Sequence, residues 1–455
     1  MSLPSDDIWQ KATSLHLENR LGEAEELYVQ LLEQNPDNSA LLATLGSLYG
    51  QAERWGLAIH FLEHAVSQGL DQPDVFTNLG MAYTKCHQRE KAKANFVKSI
   101  EKDPTAEALT NYSAMFIESG ESKFCAELCE RSIAMKPDQP IAHWNLALSL
   151  LGDGIWERAW DEHEWGLKSS VMREDRKLID VPFWNGEPGT VYIYGEQGIG
   201  DEIMFASMLP DILKTNKVVL ECHKRLETLF KKSFPEILVF GTREDKEIKW
   251  DVPPDFKIDY RLSIGSLGKF YRRSRESFPG TKYLKADPVP KNKFRIGISW
   301  NGGGAKVGRV LKRSIPLTWW KPILDVKNVE FVSLQYTDEG DALNIMKALG
   351  YDIKFRKEVL AEDYYETARL VASCDLVITV CTSVVHLAGA LGVPCWVLTP
   401  RFPAWRYQNE GPMPWYRSVR LYRSPSPTPD AWRPVIDLVG IDLEELVNGK
   451  VKKTA

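Results

Sequence analysis

The first 170 residues repeat themselves, and a short repeat constrains architecture before any single residue does. Prolines at 36, 73, 104 and 137 each close a segment of about 31–37 residues that reads as two amphipathic helices. Such a hairpin cannot bury its apolar faces alone, so successive hairpins must stack into a curved solenoid. The third segment shows the pattern best, with Phe76, Leu79, Gly80, Tyr83, Ala92, Phe96 and Pro104. Small residues let two helices approach, aromatics fill the groove to the next hairpin, and proline stops the second helix.

These are the spacings of a tetratricopeptide repeat. The second segment keeps Leu45, Gly46, Tyr49, Ala58 and Ala65; the first keeps Ala24, Tyr28 and Pro36. The fourth is looser, with Tyr112, Phe116, Cys125, Cys129 and Pro137. Cys125 and Cys129 lie four apart with no His or third Cys beside them, and read as small core residues. A fifth, atypical unit from Ile141 to about Lys168 is rich in tryptophan (Trp144, Trp156, Trp160, Trp165), as a cap docking on another domain would be.

After about residue 180 the pattern changes. Short apolar runs (Val191–Tyr194, Val218–Leu220, Ile237–Phe240, Arg295–Trp300, Phe331–Leu334, Leu376–Val380, Cys395–Leu398) alternate with helical stretches. That alternation predicts parallel sheets covered by helices. A Pro- and Lys-rich seam, Lys285–Lys293, divides two such blocks. The expected organisation is a repeat solenoid over 1–170 and two Rossmann-like, doubly wound domains over 180–288 and 289–455. Two such domains facing one another place a cleft at their strand carboxyl ends.

Charge narrows the partners. Residues 1–170 hold 14 basic and 26 acidic side chains, residues 171–455 hold 43 and 36. The acidic part argues against nucleic acid, whose binding rests on phosphate contacts; the mildly basic part suits a small anionic ligand. Seven cysteines without a CxxC pair argue against a disulfide framework or zinc ribbon and fit a reducing cytoplasm. The N-terminus has no basic stretch leading into an apolar core, so no signal peptide is expected. The most apolar stretch, Asp375–Thr399, is broken by Thr382, Ser383, His386, Gly389, Gly392 and Pro394, so no membrane span is expected.

Three segments carry residues suited to chemistry. In Tyr194-Gly195-Glu196-Gln197-Gly198-Ile199-Gly200-Asp201-Glu202 a strand passes into a helix through glycines that permit a tight turn and expose amides. Asp201 then falls near the helix N-terminus, as a cap or as a carboxylate facing the cleft. In Gly297-Ile298-Ser299-Trp300-Asn301-Gly302-Gly303-Gly304, followed by Lys306, Arg309, Lys312, Arg313 and Ser314, a strand ends in a glycine-rich basic loop. Such a loop either cradles phosphate or is simply solvated; it lacks the GxxxxGK[ST] order of an NTPase loop. In the third, Asp375 to Pro394, Thr382 and Ser383 open a helix whose free amides favour a diphosphate. His386, one turn in, can donate to the same oxygens or serve only in packing. Gln335, at a strand end, reaches a nucleotide or is an ordinary amide. Trp300, Trp405 and Trp415 stack on a ring or fill a core.

Together these segments resemble bacterial tetratricopeptide-repeat proteins that carry a heptosyltransferase-like GT-B glycosyltransferase domain (glycosyltransferase family 9-like). The resemblance runs in collinear order through GIWERAWDEHEW, FWNGEP, YGEQGIGDEIMF, RSIPL before Trp319-Trp320, FVSLQ at 331–335, HLAGALGVPCWVLTP and MPWY at 413–416. It implies an α-solenoid followed by a GT-B unit. Its activity would be inverting and metal-independent, with no cofactor, moving a sugar from a nucleotide-diphosphate-sugar donor to a hydroxyl of a protein or glycan acceptor recruited by the repeats. Asp201 matches the family's GxGD and is the expected general base. The resemblance makes Gly198, Gly200, Ser299, Trp300, Arg313, Gln335, Thr382, Ser383 and His386 the expected nucleotide-sugar site. Two departures stand out. Cys381-Thr382-Ser383 replaces the family's usual Asp-Thr-[Ala/Gly], and Ala404-Trp405-Arg406-Tyr407 lacks the acid that often precedes its WRW segment. The alternative reading is an interaction scaffold with a degenerate GT-B unit.

Overall fold

Three turns of the repeat region share one backbone device. Asn19, Glu53 and His87, each 34 residues after the last, take left-handed φ angles of 60°, 58° and 59°. The next amide in each case donates back five residues, Arg20 to Leu15, Arg54 to Tyr49 and Gln88 to Tyr83, at 2.8–2.9 Å. This closes the end of the first helix of each hairpin and launches the second at once. The computed structural model describes residues 5–169, 172–176, 179–245, 250, 257–302, 313–336 and 340–449.

The hairpins are α1 (Ser5–Leu17) with α2 (Leu21–Gln34), α3 (Ser39–Gln51) with α4 (Trp55–Ser67), α5 (Pro73–Lys85) with α6 (Arg89–Lys102), and α7 (Ala106–Ser113) with α8 (Ser122–Met135). Each second helix also packs on the first helix of the next hairpin, which is how a solenoid shares its apolar surface. Gly80 lies under the Phe96 ring, where a Cβ would come within 2.9 Å of it. A buried hydroxyl pair recurs as well, Thr77 with Ser99 and Thr110 with Ser132, both 2.8 Å apart. Pro73 departs from the expectation: it opens α5 rather than closing α4, since a missing amide costs nothing in a first helical turn. The looseness of the fourth segment has its counterpart in α7, which after eight residues tightens into a 3-10 turn at Ala114–Phe116. Cys125 and Cys129 are fully buried there.

The chain divides into two compact units, Met1–Ser149 and Leu150–Ala455. Helix α9 (Pro140–Gly152) crosses that boundary, and α10 (Trp156–His163) belongs with the sheets. The solenoid therefore stops short of the expected residue 170. The reason is Trp160, fully buried, whose indole donates to the Arg272 carbonyl at 2.7 Å and whose ring meets Phe205 and Trp405 edge-on.

Two all-parallel sheets follow. The first consists of β1 (Thr190–Tyr194), β2 (Lys217–Glu221), β3 (Leu238–Phe240) and β4 (Tyr260–Ser263), in the order 3-2-1-4. Helix α11 (Ile199–Phe205) leaves β1. The second comprises β5 (Phe294–Ser299), β6 (Val329–Ser333), β7 (Ile353–Lys354), β8 (Leu376–Val380), β9 (Cys395–Thr399) and β10 (Val419–Arg423), in the order 10-9-8-5-6-7. Helix α12 (Ser383–Leu391) joins β8 to β9, and α13 (Trp432–Val447) ends the described chain. Strands β8 and β9 are buried at every residue, as strands covered on both faces must be. The second core gathers Ile296, Ile298, Trp300, Trp320, Ile378, Leu398 and, from α13, Trp432 and Val439.

Candidate functional site

Read from its third strand outward, the second sheet runs 7-6-5-8-9-10, a doubly wound order that reverses direction between β5 and β8. The first sheet reverses between β1 and β4. Crevices open at such switch points, beyond the carboxyl ends of the strands. The loops that leave β1, β5 and β8 there are the three segments singled out by sequence.

Beyond β1, Gln197 adopts φ 61° and Gly198 caps α11. Asp201 occupies the third position of that helix. Its Oδ2 accepts from the Gly198 amide at 3.3 Å, so it helps to seal the helix start. Its other oxygen is gripped by Arg406, from the short turn Trp405–Tyr407 beyond β9. Both partners retain partial access to solvent, Asp201 at 17% and Arg406 at 20% of the side chain. The Arg406 guanidinium also donates to the Gln197 side-chain oxygen at 3.3 Å. Asp201 thus serves as a cap and also ties its helix to the loop beyond β9.

Helix α11 meets α12 at its first turn. A Cβ on Gly200 would lie 3.2 Å from the Ser383 Cα and 3.3 Å from the His386 ring, so glycine is what allows the two helices to approach. Thr382 caps α12 by accepting from the Val384 amide at 3.3 Å, and the Ser383 hydroxyl bonds to that of Tyr364 at 3.2 Å. His386 is buried beside Tyr416, its Nδ1 3.2 Å from the phenol oxygen. Burial pushes its pKa down to about 3, against a smaller upward pull from Asp201. A neutral imidazole results, able to donate one hydrogen bond but carrying no charge to oppose a phosphate.

Other expected residues are placed differently from one another. Trp300 lies in the hydrophobic core, 1% exposed, and is out of stacking reach. Gln335 is equally buried, and its side-chain oxygen accepts three hydrogen bonds: from the Ser299 hydroxyl at 2.7 Å and from the Trp300 and Asn301 amides at 2.9 and 3.0 Å. Ser299 and Gln335 therefore fix the start of the β5 loop from beneath. Arg313 packs across Gly302, and its charge acts on the buried Tyr407 hydroxyl, as does that of Arg406. Lys306, Arg309 and Lys312, with Gly303 and Gly304, lie outside the described residues. Cys381 is buried and interacts with the Tyr407 hydroxyl. Trp405 and Trp415 join Phe205 and Phe278 in an aromatic cluster.

Sequence reasoning missed the acidic floor of the first sheet. Glu196, 2% exposed, is held by Arg173 at 2.9 Å and by the Gly265 amide at 3.1 Å; Glu221, at the end of β2, is held by Arg176 at 2.8 Å. Glu202, wholly buried, pairs with Arg243, and desolvation raises its pKa to about 7. It missed Arg406 as well. The signal available was position: Arg406 is one of three arginines, with Arg401 and Arg417, in the loop after β9, on the edge that carries the other three segments.

Comparison with known proteins bears on the first unit. A family model described as tetratricopeptide repeat matches residues 15–81. The N-terminal region carries tetratricopeptide repeats. These repeats support a protein-interaction role, and the parallel sheets follow them in the chain. Protein FlbA of Caulobacter vibrioides is 27% identical over 422 residues, 85% of this chain and 70% of its own length. Among solved structures, MamA is 21% identical, covering 35% of this chain and 94% of its own, with a TM-score of 0.32. PilW, titled a widely conserved type IV pilus biogenesis factor, is 16% identical, covering 47% and 88%, with a TM-score of 0.35. No helix among the described residues is long and apolar enough to cross a membrane.

Proposed function

We propose that the chain is an inverting glycosyltransferase of the heptosyltransferase-like GT-B type, using a nucleotide-diphosphate-sugar donor, with the tetratricopeptide repeats recruiting a protein or glycan acceptor. One observation carries this reading. Asp201, a partly accessible carboxylate, lies at the switch-point edge of the first sheet, and its helix abuts the capped start of α12 at the switch point of the second. Arg406 contacts Asp201, and Arg313 acts on the same neighbourhood through Tyr407. A carboxylate beside preformed cations and helix amides has the parts needed to deprotonate an acceptor while accommodating a leaving diphosphate.

In this reading the Asp201 carboxylate takes the acceptor hydroxyl proton as that oxygen attacks the anomeric carbon. A new carbon–oxygen bond forms, the bond from the anomeric carbon to phosphate breaks, and its electron pair leaves on the diphosphate. Arg313 and the Thr382–Ser383 helix start receive that charge. The alternative, an interaction scaffold without turnover, has one observation in its favour: Cys381 puts a buried thiol where the resembled family has a carboxylate. Assays of hydrolysis and transfer with ADP-, GDP-, UDP- and CMP-sugars separate the two. Turnover that disappears in Asp201→Asn, with donor binding retained, supports the transferase; binding without turnover in either protein supports the scaffold.

A further inference from the structure

The contact between Arg406 and Asp201 presents a chemical difficulty for the proposed reaction. A carboxylate oxygen that already accepts from a guanidinium is not free to accept the proton of an incoming hydroxyl. Both side chains are only partly buried, so the pair is open to competition from a ligand in the crevice.

The backbone on both sides of this pair is strained. Gln197, which shares the guanidinium, takes φ 61°. Gln408, two residues beyond Arg406, takes φ 59° with ψ 152°, a region that residues with a Cβ rarely enter. Its buried side chain holds that geometry, donating to the Leu151 carbonyl at 2.7 Å and to the Trp405 carbonyl at 2.8 Å. The turn that carries Arg406 is therefore held in a costly conformation, and strain of this kind gathers where a side chain must be aimed. The guanidinium is aimed at the junction of α11 and α12: it touches Asp201 on the first and lies within electrostatic range of His386 on the second.

We propose that Arg406 is a positioning residue that holds Asp201 until the donor arrives and transfers to the donor phosphates when the nucleotide sugar binds. This rests on the transferase reading above. A phosphate offers a guanidinium two charged oxygens in a bidentate geometry, and so competes with a single carboxylate oxygen. Donor binding then does two things at once: it gains a cation for the leaving group and frees the base. The order of events follows, donor before acceptor deprotonation, so that Asp201 is released only when there is a sugar to transfer.

A double-mutant cycle on nucleotide binding tests this without requiring turnover. The full chain is titrated with ADP, GDP, UDP and CMP, and the tightest of these is carried through wild type, Asp201→Asn, Arg406→Gln and the double variant. Asp201→Asn should tighten binding about fivefold while Arg406 is present, because the guanidinium is no longer shared. In the Arg406→Gln background the same change should move affinity less than about twofold, and Arg406→Gln alone should weaken binding about tenfold. Arg406→Lys, which keeps the charge, should recover part of that loss. An equal effect of Asp201→Asn in both backgrounds overturns the proposal while leaving the transferase reading intact. If none of the four nucleotides binds, both fall.

Discussion

Arg406 grips the carboxylate of Asp201 across 205 residues of sequence, joining the loop after β9 to the first turn of α11. The junction depends on close packing of α11 against α12, and Gly200 makes that packing possible. Gly200→Ala would set a methyl group 3.2 Å from the Ser383 backbone. We expect a loss of about 1–3 kcal/mol from overpacking, read by denaturant unfolding, together with loss of nucleotide binding. Unchanged stability and binding would show that the helices are not held at this distance.

His386 makes a pH prediction. Its folded pKa is about 3 against an ordinary 6.5, because burial disfavours the charged ring. Between those values the unfolded chain binds a proton that the folded chain does not. The stability is therefore complete above pH 6.5 and is lost as pH falls toward 3. The contribution of this residue should drop by about 2 kcal/mol between pH 7 and pH 5. Unfolding free energies of wild type and His386→Gln, measured at both pH values, should converge by that amount; parallel values would mean that the ring is not buried neutral.

The sequence leaves Gln335 as either a nucleotide contact or an ordinary strand-end amide, and its oxygen ties down Ser299, Trp300 and Asn301. Gln335→Leu would leave three donors without their acceptor, at a cost of about 2–4 kcal/mol. Gln335→Glu keeps an accepting oxygen and should cost less. Both are measurable by urea unfolding monitored by tryptophan fluorescence.

Arg173 and Glu196 form a buried pair beneath the β1 loop, both side chains at or below 1% exposure. Arg173→Ala strands a carboxylate without its cation and should destabilise the second unit by about 3–5 kcal/mol. A loss below 1 kcal/mol, measured by the same unfolding assay, would indicate that water replaces the guanidinium.

What the sequence disclosed follows from what kind of signal each element leaves. Strands β1, β2, β5, β6, β8 and β9 were legible because strands covered on both faces become apolar runs. Strand β4 was not: Arg261 lies in its middle, buried through an ion pair with Asp175 that no local pattern announces. Strand β10, at a sheet edge, carries Arg420 and Arg423 among its five residues, and β7 has only two residues. The glycine-rich segments were legible as loops at strand ends. Which side chains enter the crevice was less so. Trp300 is absorbed by the core of its own sheet, and Arg406 acts on a partner in a distant loop, which arises only when the two sheets come together.

The most direct test is a crystal structure of the full chain with a bound nucleoside diphosphate. The account predicts the diphosphate at the Thr382–Ser383 start of α12, Arg406 on phosphate oxygens, and the Asp201 carboxylate open toward the site of the sugar. A nucleotide bound away from that junction, or one bound there with Asp201 turned into the protein interior, would contradict it.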